Sequence, residues 1–254
     1  MECRQPCGIG GWHSRFRKVT TYSYVYEQHV DPYCDCVIHG PIDHTTVTDP
    51  AGGKTVHNFD SNGREASTLM QTSTGTTLKT IGRTYETAAL GGRLLSETTT
   101  QGSFTFSNTF TYDDHNNVLS QTEAEQGVNV RRVDRTFETS TAFTDAHIWD
   151  RRLSETLIQY PSQDQAARNE WQYDTLSLIP RSGTIPGWVD PVSAPRANVT
   201  AVRKWLNTTG SYLVTTQQYD VLGNAVTVTD PGGHATQNDF TDRFTDSINR
   251  NSFA

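Results

Sequence analysis

Aromatic residues followed directly by a carboxylic acid recur through the chain, and such acids are candidates for catalysis. The pairs are Phe59-Asp60, Tyr85-Glu86, Tyr112-Asp113, Phe137-Glu138, Tyr173-Asp174 and Tyr219-Asp220. Two carboxylates facing one sugar bond can act as general acid and as base or nucleophile in glycoside cleavage. An active site is usually single, whereas these acids repeat. A repeated acid beside a turn is better suited to accept hydrogen bonds from turn amides, and this is the role we predict.

The four cysteines are the candidate metal ligands. They lie close to the start of the chain, as Cys3, Cys7, Cys34 and Cys36. Thiolates from two such pairs can bind zinc tetrahedrally, but neither spacing is the common C-x2-C of zinc sites. Disulfide formation is a second alternative and free thiols are a third, because the redox compartment is unknown. We predict no metal site, and these four residues are the weak candidates for one.

No other catalytic or cofactor motif stands out in the sequence. It contains no G-x-S-x-G, no H-E-x-x-H and no phosphate-binding glycine loop. We therefore predict that the chain is not an enzyme and needs no cofactor. The net charge of −7 argues against a nucleic-acid partner, which would require a basic face.

The acids must be positioned by short strands and turns, and this is clearest between residues 215 and 240. Tyr219-Asp220 is followed after two residues by Gly223-Asn224. Gly223 can adopt a positive φ without a steric penalty. Residues 225–229 are Ala-Val-Thr-Val-Thr, which alternate in the manner of a strand. The next turn begins at Asp230-Pro231, where proline fixes φ at the first corner.

The same unit occurs near the start of the chain. Asp49-Pro50 begins a turn, a strand follows, and Phe59-Asp60 then leads to Gly63-Arg64. Degenerate copies lie between the two full copies: Tyr112-Asp113 has Asn116 in place of glycine, and asparagine also tolerates a left-handed φ. The aromatic residues of successive copies are separated by 26, 27 and 25 residues, and then by longer intervals. This period predicts stacked supersecondary units.

These motifs resemble those of the RHS/YD-repeat family, whose signature is a tyrosine-aspartate pair with a nearby glycine. The resemblance covers roughly residues 40–245 and is carried by the following residues: Asp49, Pro50, Phe59, Asp60, Gly63, Arg64, Tyr112, Asp113, Tyr219, Asp220, Gly223, Asn224, Asp230 and Pro231. It implies an all-β fold in which repeated β-hairpins form an extended, curved sheet, as a segment of a shell. Members of the family often enclose a C-terminal toxin or effector domain.

Composition agrees with a thin sheet. Apolar residues make up 34% of the chain and the mean hydropathy is −0.61, so a thick core is difficult to supply. The charged fraction of 19% and the aromatic fraction of 10% argue against disorder. We predict a sheet that water reaches on both faces. No apolar run is long enough to span a membrane, and the N-terminus lacks the apolar core of a secretory signal.

We divide the chain into two parts. Residues 1–40 are predicted to be an irregular cysteine-containing segment with one or two strands, one of which carries Tyr22, Tyr24 and Tyr26 on one face. Residues 41–254 are predicted to be hairpin repeats with a proline-rich inserted loop near 179–196. Within them, residues 149–153 can repeat the aromatic-acid turn, and residues 162–171 can form a short helix or a loop. Residues 199–206 and 211–218 are predicted to form a hairpin.

The resemblance implies a structural function. We expect a non-catalytic segment of a shell that encloses, carries or presents a toxin or effector domain of a larger protein, secreted or at the cell surface. Its partners would be neighbouring repeats and the cargo domain. The alternative is an extracellular module that binds carbohydrate or a cell surface. In that case aromatic side chains would stack on sugar rings, and the candidates are Tyr22, Tyr24, Tyr26, Trp171, Trp188 and Trp205.

Overall fold

A computed structural model describes residues 20–30, 37–87, 92–180, 195–240 and 245. In this part of the chain the secondary structure is almost entirely β. The strands are β1 (Thr21–Val30), β2 (Val37–Thr48), β3 (Lys54–Phe59), β4 (Glu65–Gln71), β5 (Thr77–Tyr85), β6 (Leu94–Gln101), β7 (Phe104–Tyr112), β8 (Val118–Glu125), β9 (Val128–Phe137), β10 (Arg152–Gln159), β11 (Asp164–Tyr173), β12 (Val199–Trp205), β13 (Tyr212–Tyr219), β14 (Ala225–Thr229) and β15 (Ala235–Gln237). One short helix, α1 (Thr141–Asp145), lies between β9 and β10.

The chain divides into two compact units, and each is an antiparallel meander. The first contains Met1–Arg83 and Thr99–Gly102, and the second contains Thr84–Thr98 and Ser103–Ala254. In the first unit β1 to β5 pair with their neighbours in sequence. In the second unit β7 to β15 do the same. The predicted fold class, all-β with repeated hairpins, is confirmed.

The aromatic-acid pairs mark one end of alternate strands. In the second unit β7, β9, β11 and β13 end at Tyr112, Phe137, Tyr173 and Tyr219. Because alternate strands of a meander run in the same direction, these pairs lie along one edge of the sheet, which we call the aromatic-acid edge. In the first unit Phe59 ends β3 in the same way. The turns after β2 and β14, which begin at Asp49 and Asp230, connect strands at the opposite end.

Very little of the described part is a hydrophobic core. The buried hydrophobic side chains there are Phe143 and Ala201, and most strand residues are partly exposed on both faces. Phe143, on α1, packs edge-on against the ring of Tyr173 with the centroids 6.3 Å apart. The prediction of a thin sheet without a thick core is confirmed. Stability must therefore come from strand pairing, hydrogen bonds and contacts between neighbouring hairpins.

One local prediction is wrong. Residues 162–171 were expected to form a short helix or a loop, yet most of them belong to β11, which pairs with β10 and β12. The Ala166-Ala167 pair and its charged neighbours have no strong preference for a strand. Because β11 pairs with a strand on each side, it gains backbone hydrogen bonds that cannot be predicted from the strand propensities of its residues. The predicted hairpin at 199–206 and 211–218 is confirmed by β12 and β13, with Gly210 at φ 69° in the turn.

The predicted boundary near residue 40 stays a prediction, although β2 runs across that position. The predicted strand with Tyr22, Tyr24 and Tyr26 is confirmed as β1. Of the proline-rich insertion, residues 179–180 and 195–196 lie within the described residues and 181–194 lie outside them. No helix in the described ranges is long and apolar enough to cross a membrane.

Candidate functional site: the aromatic-acid turns

The Tyr219-Asp220 turn shows how one repeat is built. The Asp220 N–H donates to the Asn224 carbonyl at 2.9 Å, and the Gly223 N–H donates to the Asp220 carbonyl at 3.1 Å. Asp220 Oδ1 accepts the N–H groups of Leu222 and Asn224, each at 2.9 Å. Asn224 Nδ2 donates to Asp220 Oδ2 at 3.1 Å. The carboxylate therefore organises the whole three-residue loop.

The turns that begin at Asp60 and Asp113 repeat this geometry. In each, Oδ1 accepts the N–H groups two and four residues later, at 2.9 Å. Oδ2 accepts from Arg64 Nε or Asn117 Nδ2, at 2.8 Å in both cases. This explains the arginine or asparagine after the glycine in the sequence pattern, because the side chain there completes the carboxylate's set of donors.

A positive φ is required three residues after each of these acids. Gly63 and Gly223 have φ values of 76° and 88°, as expected from the sequence. Asn116, which replaces glycine in the Asp113 turn, has φ 70°. Asparagine is among the few residues that tolerate this conformation. The degenerate copy at Tyr112 is therefore the same turn as the full copies.

The turns that begin at Asp49-Pro50 and Asp230-Pro231 have the same hydrogen bonds as the aromatic-acid turns, although their sequence pattern suggested a different motif. Asp230 Oδ1 accepts the N–H groups of Gly232 and His234 at 2.8 and 2.9 Å. Asp49 Oδ1 accepts those of Ala51 and Gly53 at 2.7 and 2.9 Å. The turns at both ends of the hairpins thus have the same hydrogen-bonded geometry. In the aspartate-proline turns, proline occupies the position after the acid.

Longer loops follow the acids that lack a glycine at the same spacing. The Glu138 N–H donates to the Arg151 carbonyl at 2.8 Å, and the Asp174 N–H donates to the Asn198 carbonyl at 3.0 Å. The first loop contains α1 and the second contains the proline-rich insertion. These two loops account for the long intervals after Phe137 and Tyr173. Trp149 and Asp150 lie within the first loop, so they do not form a separate aromatic-acid turn.

Side chains connect successive turns along the aromatic-acid edge. Arg93 forms a bidentate ion pair with Glu86, with N–O distances of 2.6 and 2.9 Å. Its Nη1 also donates to the Asp113 carbonyl, and its guanidinium lies 5.2 Å from the Tyr112 ring centroid. Tyr112 donates its hydroxyl to the Leu94 carbonyl at 2.8 Å. Tyr112 and Asp113, the aromatic residue and the acid of one repeat, therefore both connect their hairpin to the preceding one.

The same kind of connection continues toward the C-terminus. Asn117 Nδ2 donates to the Trp149 carbonyl at 2.7 Å, and the Tyr173 hydroxyl donates to the Arg152 carbonyl at 2.8 Å. Burial raises the pKa of Tyr173, so its hydroxyl stays protonated and can donate. Local sequence patterns do not predict these contacts, because the partners are 32 and 21 residues apart.

In three of the turns, the acid (Asp60, Asp113 or Asp230) has a lowered pKa. The Arg64 backbone amide lowers the pKa of Asp60, and it outweighs burial with help from the Arg64 side chain. Burial raises the pKa of Asp113, but hydrogen bonds from the side chain and backbone of Asn117 outweigh it, so the net pKa is lowered. The His234 amide lowers the pKa of Asp230 in the same way.

We expect the protein to lose stability in acid as a result. A carboxyl group with a lowered pKa in the folded state stabilises that state above its ordinary value, about 4, and the contribution is lost as the pH falls below it. The urea midpoint should thus be lower at about pH 3 than at about pH 6. Asp113→Asn should make the midpoint less dependent on pH. An equal midpoint at both pH values would contradict these assignments.

Other predicted site residues remain untested. The four cysteines and Trp188 lie outside the described residues, so the zinc and disulfide alternatives stay predictions. Within the described ranges no group of three histidine, cysteine or acidic residues is arranged to hold a metal ion. Tyr22, Tyr24 and Tyr26 are exposed on β1. Their predicted stacking on sugars has no further support in the described contacts.

Comparisons with known proteins gave structural similarities alone. The sequence matches no protein family and no curated protein. The crystal structure of TcdB2-TccC3-TEV has a TM-score of 0.30 at 12% identity, over 87% of this chain and 13% of that one. The structure of TcdB2-TccC3 has a TM-score of 0.26 at 13% identity, with the same coverage. A porin-like protein from Bacteroides uniformis has a TM-score of 0.31 at 12% identity, over 81% of this chain and 85% of that one. All three TM-scores lie below 0.5, so these similarities carry no conclusion about the function of the chain.

Proposed function

We propose that this chain is a non-catalytic wall segment of an RHS/YD-type shell, which encloses, carries or presents a C-terminal toxin or effector domain of a larger protein. The observation that carries the proposal is the use of the acids. In the turns at Asp60, Asp113 and Asp220, both carboxylate oxygens accept hydrogen bonds from the turn itself. The repeated acids therefore have a structural role.

The same geometry argues against acid-base catalysis by these residues. A general acid needs a raised pKa and an oxygen that can reach the substrate. Asp60 and Asp113 have lowered pKa values. Asp220 is completely buried. Its carboxylate has no free approach from solvent, so it is suited to holding a loop and not to moving a proton.

A role as a wall agrees with how the hairpins contact one another. Each hairpin in a stacked array is stabilised by its neighbours, and the array can be extended by adding units. In the second unit the connections through Arg93, Asn117 and Tyr173 run from one turn to the next. The partners would be neighbouring repeats and the cargo domain. We place the larger protein outside the cell, secreted or at the cell surface.

Protection of a cargo domain tests this function. The full-length protein that contains this segment is digested with thermolysin, and peptides are followed by mass spectrometry. We expect peptides from a downstream domain only after cleavage within the repeats. Asp220→Ala, which loosens a turn, should release them earlier, and Asp230→Ala, at an exposed turn, should not. If downstream peptides appear at the same rate when the repeats are deleted, the segment encloses nothing.

A further inference from the structure

Two adjoining cavities open on one face of the second unit. The larger has a volume of about 400 Å³ and the smaller about 260 Å³. Asp150 and Arg152 line both, so together the cavities form one cleft, which we call the Arg152 cleft. Cavities of this size accommodate small organic ligands or one or two sugar rings. Asn117 and Tyr173, which connect neighbouring turns, contribute to its walls.

The floor of the Arg152 cleft carries an excess of positive charge. Arg135 Nε and Arg152 Nη1 both bond to the same oxygen of Glu155, at 2.9 and 2.8 Å. At the rim, Arg151 faces Asp150 at 3.6 Å. At the floor, two guanidinium groups therefore share one carboxylate. One unbalanced positive charge beside a partly enclosed cavity favours an anionic ligand.

Both guanidinium groups at the floor retain donors. Arg152 uses its Nη1 on Glu155, and its Nη2 donates to no residue in the described ranges, whereas its Nε is buried beyond the reach of a ligand. Arg135 uses its Nε on Glu155, and its two Nη groups donate to no residue in the described ranges. An arginine with free Nη donors is preorganised to bind a carboxylate through two parallel hydrogen bonds. The anion that fits these donors is therefore a carboxylate or a phosphate group.

Amide oxygens on the wall of the larger cavity are available as acceptors. Asn117 Nδ2 is engaged by the Trp149 carbonyl at 2.7 Å, and Gln121 Nε2 by Asn108 Oδ1 at 3.1 Å. The side-chain oxygens of Asn117 and Gln121 accept no hydrogen bond from the residues that the structure describes. Asn116, beside them, is exposed. Such oxygens are suited to accept hydrogen bonds from ligand hydroxyls.

Aromatic side chains supply the apolar part of the Arg152 cleft. Phe110 and Phe137 line the larger cavity, and Trp171 and Tyr173 line the smaller one. Arg152 lies over the Trp171 ring, 5.6 Å from its centroid, which holds the guanidinium at the centre of the cleft. A ligand that suits these walls has an apolar ring face as well as hydroxyls and a carboxylate.

We propose that the Arg152 cleft binds a hexuronate unit of an acidic polysaccharide. The carboxylate bonds to the guanidinium groups of Arg135 and Arg152, and the ring hydroxyls donate to the amide oxygens of Asn117 and Gln121. The C–H face of the ring packs against the aromatic wall. An acidic peptide would satisfy the charge, but its carboxylates are not accompanied by adjacent hydroxyls. This site is independent of the wall function proposed above.

Calorimetric titration of the full chain with oligogalacturonate tests the proposal. We expect binding with a dissociation constant below about 1 mM, and Arg135→Gln should weaken it about tenfold. The matched control is Arg131→Gln. Arg131 lies on the same strand and bonds to Glu123 at 2.6 and 2.7 Å, but it does not line the Arg152 cleft. This control should change affinity by less than about twofold.

A second variant guards against a folding defect in Arg135→Gln. Asn116→Asp places a negative charge at the wall, at an exposed turn position whose φ aspartate tolerates, so it should weaken binding without unfolding the protein. Absence of binding, or equal losses with Arg131→Gln and Arg135→Gln, would overturn the proposal. Equal affinity for a neutral galactan oligosaccharide would also overturn it, as would equal affinity for oligoglutamate, which would indicate a peptide site.

Discussion

Replacing Asp220 by alanine should lower the free energy of unfolding by about 3 kcal/mol, because three donors lose their acceptor in a buried place. The donors are the N–H groups of Leu222 and Asn224 and the amide of the Asn224 side chain. Asp220 is 0% exposed, so water cannot replace the carboxylate. Urea unfolding followed by intrinsic fluorescence measures the change.

Asp230→Ala is the matched control for this prediction. Asp230 makes the same backbone hydrogen bonds in the same kind of loop, but its side chain is 52% exposed. Water can satisfy the freed amides there, so the loss of stability should be clearly smaller than that of Asp220→Ala. Asp220→Asn should have an intermediate effect, because it keeps one acceptor oxygen but sets its amide against that of Asn224. Equal losses in both alanine variants would show that burial does not determine the contribution of these acids.

Burial at Asp220 comes from the loop that follows β11. The Ile179 N–H donates to the Tyr219 carbonyl at 2.8 Å, and the Val221 N–H donates to the Ile179 carbonyl at 3.1 Å. Arg196 Nη1 donates to the Val221 carbonyl. Both ends of the insertion thus bond to the turn at Asp220. The insertion covers the neighbouring repeat at this point, which explains why Asp220 is fully buried although Gly223 in the same turn is exposed.

The turns could be predicted from sequence because their chemistry is local. Asp60, Gly63 and Arg64 contain within five residues the acceptor, the positive φ and the last donor of the loop. The same holds at Asp220. The equivalence of the aspartate-proline turns was missed, since proline suggested a separate turn type. Their shared feature is an acid with glycine three residues later, which the sequence does contain.

Contacts between hairpins could not be predicted in this way. The bond from Arg93 to the Asp113 carbonyl joins residues 20 positions apart, and the Arg152 cleft joins strands from β7 to β12. Both depend on strand register, and several ladders shift register at a bulge, including β9 with β10 and β11 with β12. A shift of one residue moves a side chain to the other face. Local sequence patterns cannot predict where such register shifts occur.

Glycine-to-alanine substitutions separate the effect of backbone conformation from the effect of space. Gly63→Ala and Gly223→Ala should each lower the free energy of unfolding by about 1–2 kcal/mol, because alanine is strained at a positive φ. A Cβ at either position meets no atom within 4 Å, so crowding contributes nothing. Gly223→Asn should cost less than Gly223→Ala, as Asn116 already occupies the equivalent position at φ 70°.

Gly82 provides the control, because a Cβ there also meets no atom within 4 Å while its φ lies outside the left-handed range. It lies on β5, in the same compact unit as Gly63. Gly82→Ala should be neutral or stabilise the protein by up to about 1 kcal/mol, since alanine reduces the freedom of the unfolded chain. The urea midpoint of Gly63→Ala should therefore be lower than that of the unchanged protein. The midpoint of Gly82→Ala should be unchanged or higher. If both variants lose the same stability, the left-handed residue is not what these turns require, and the positive φ at Asn116 would then have to be explained by its neighbours.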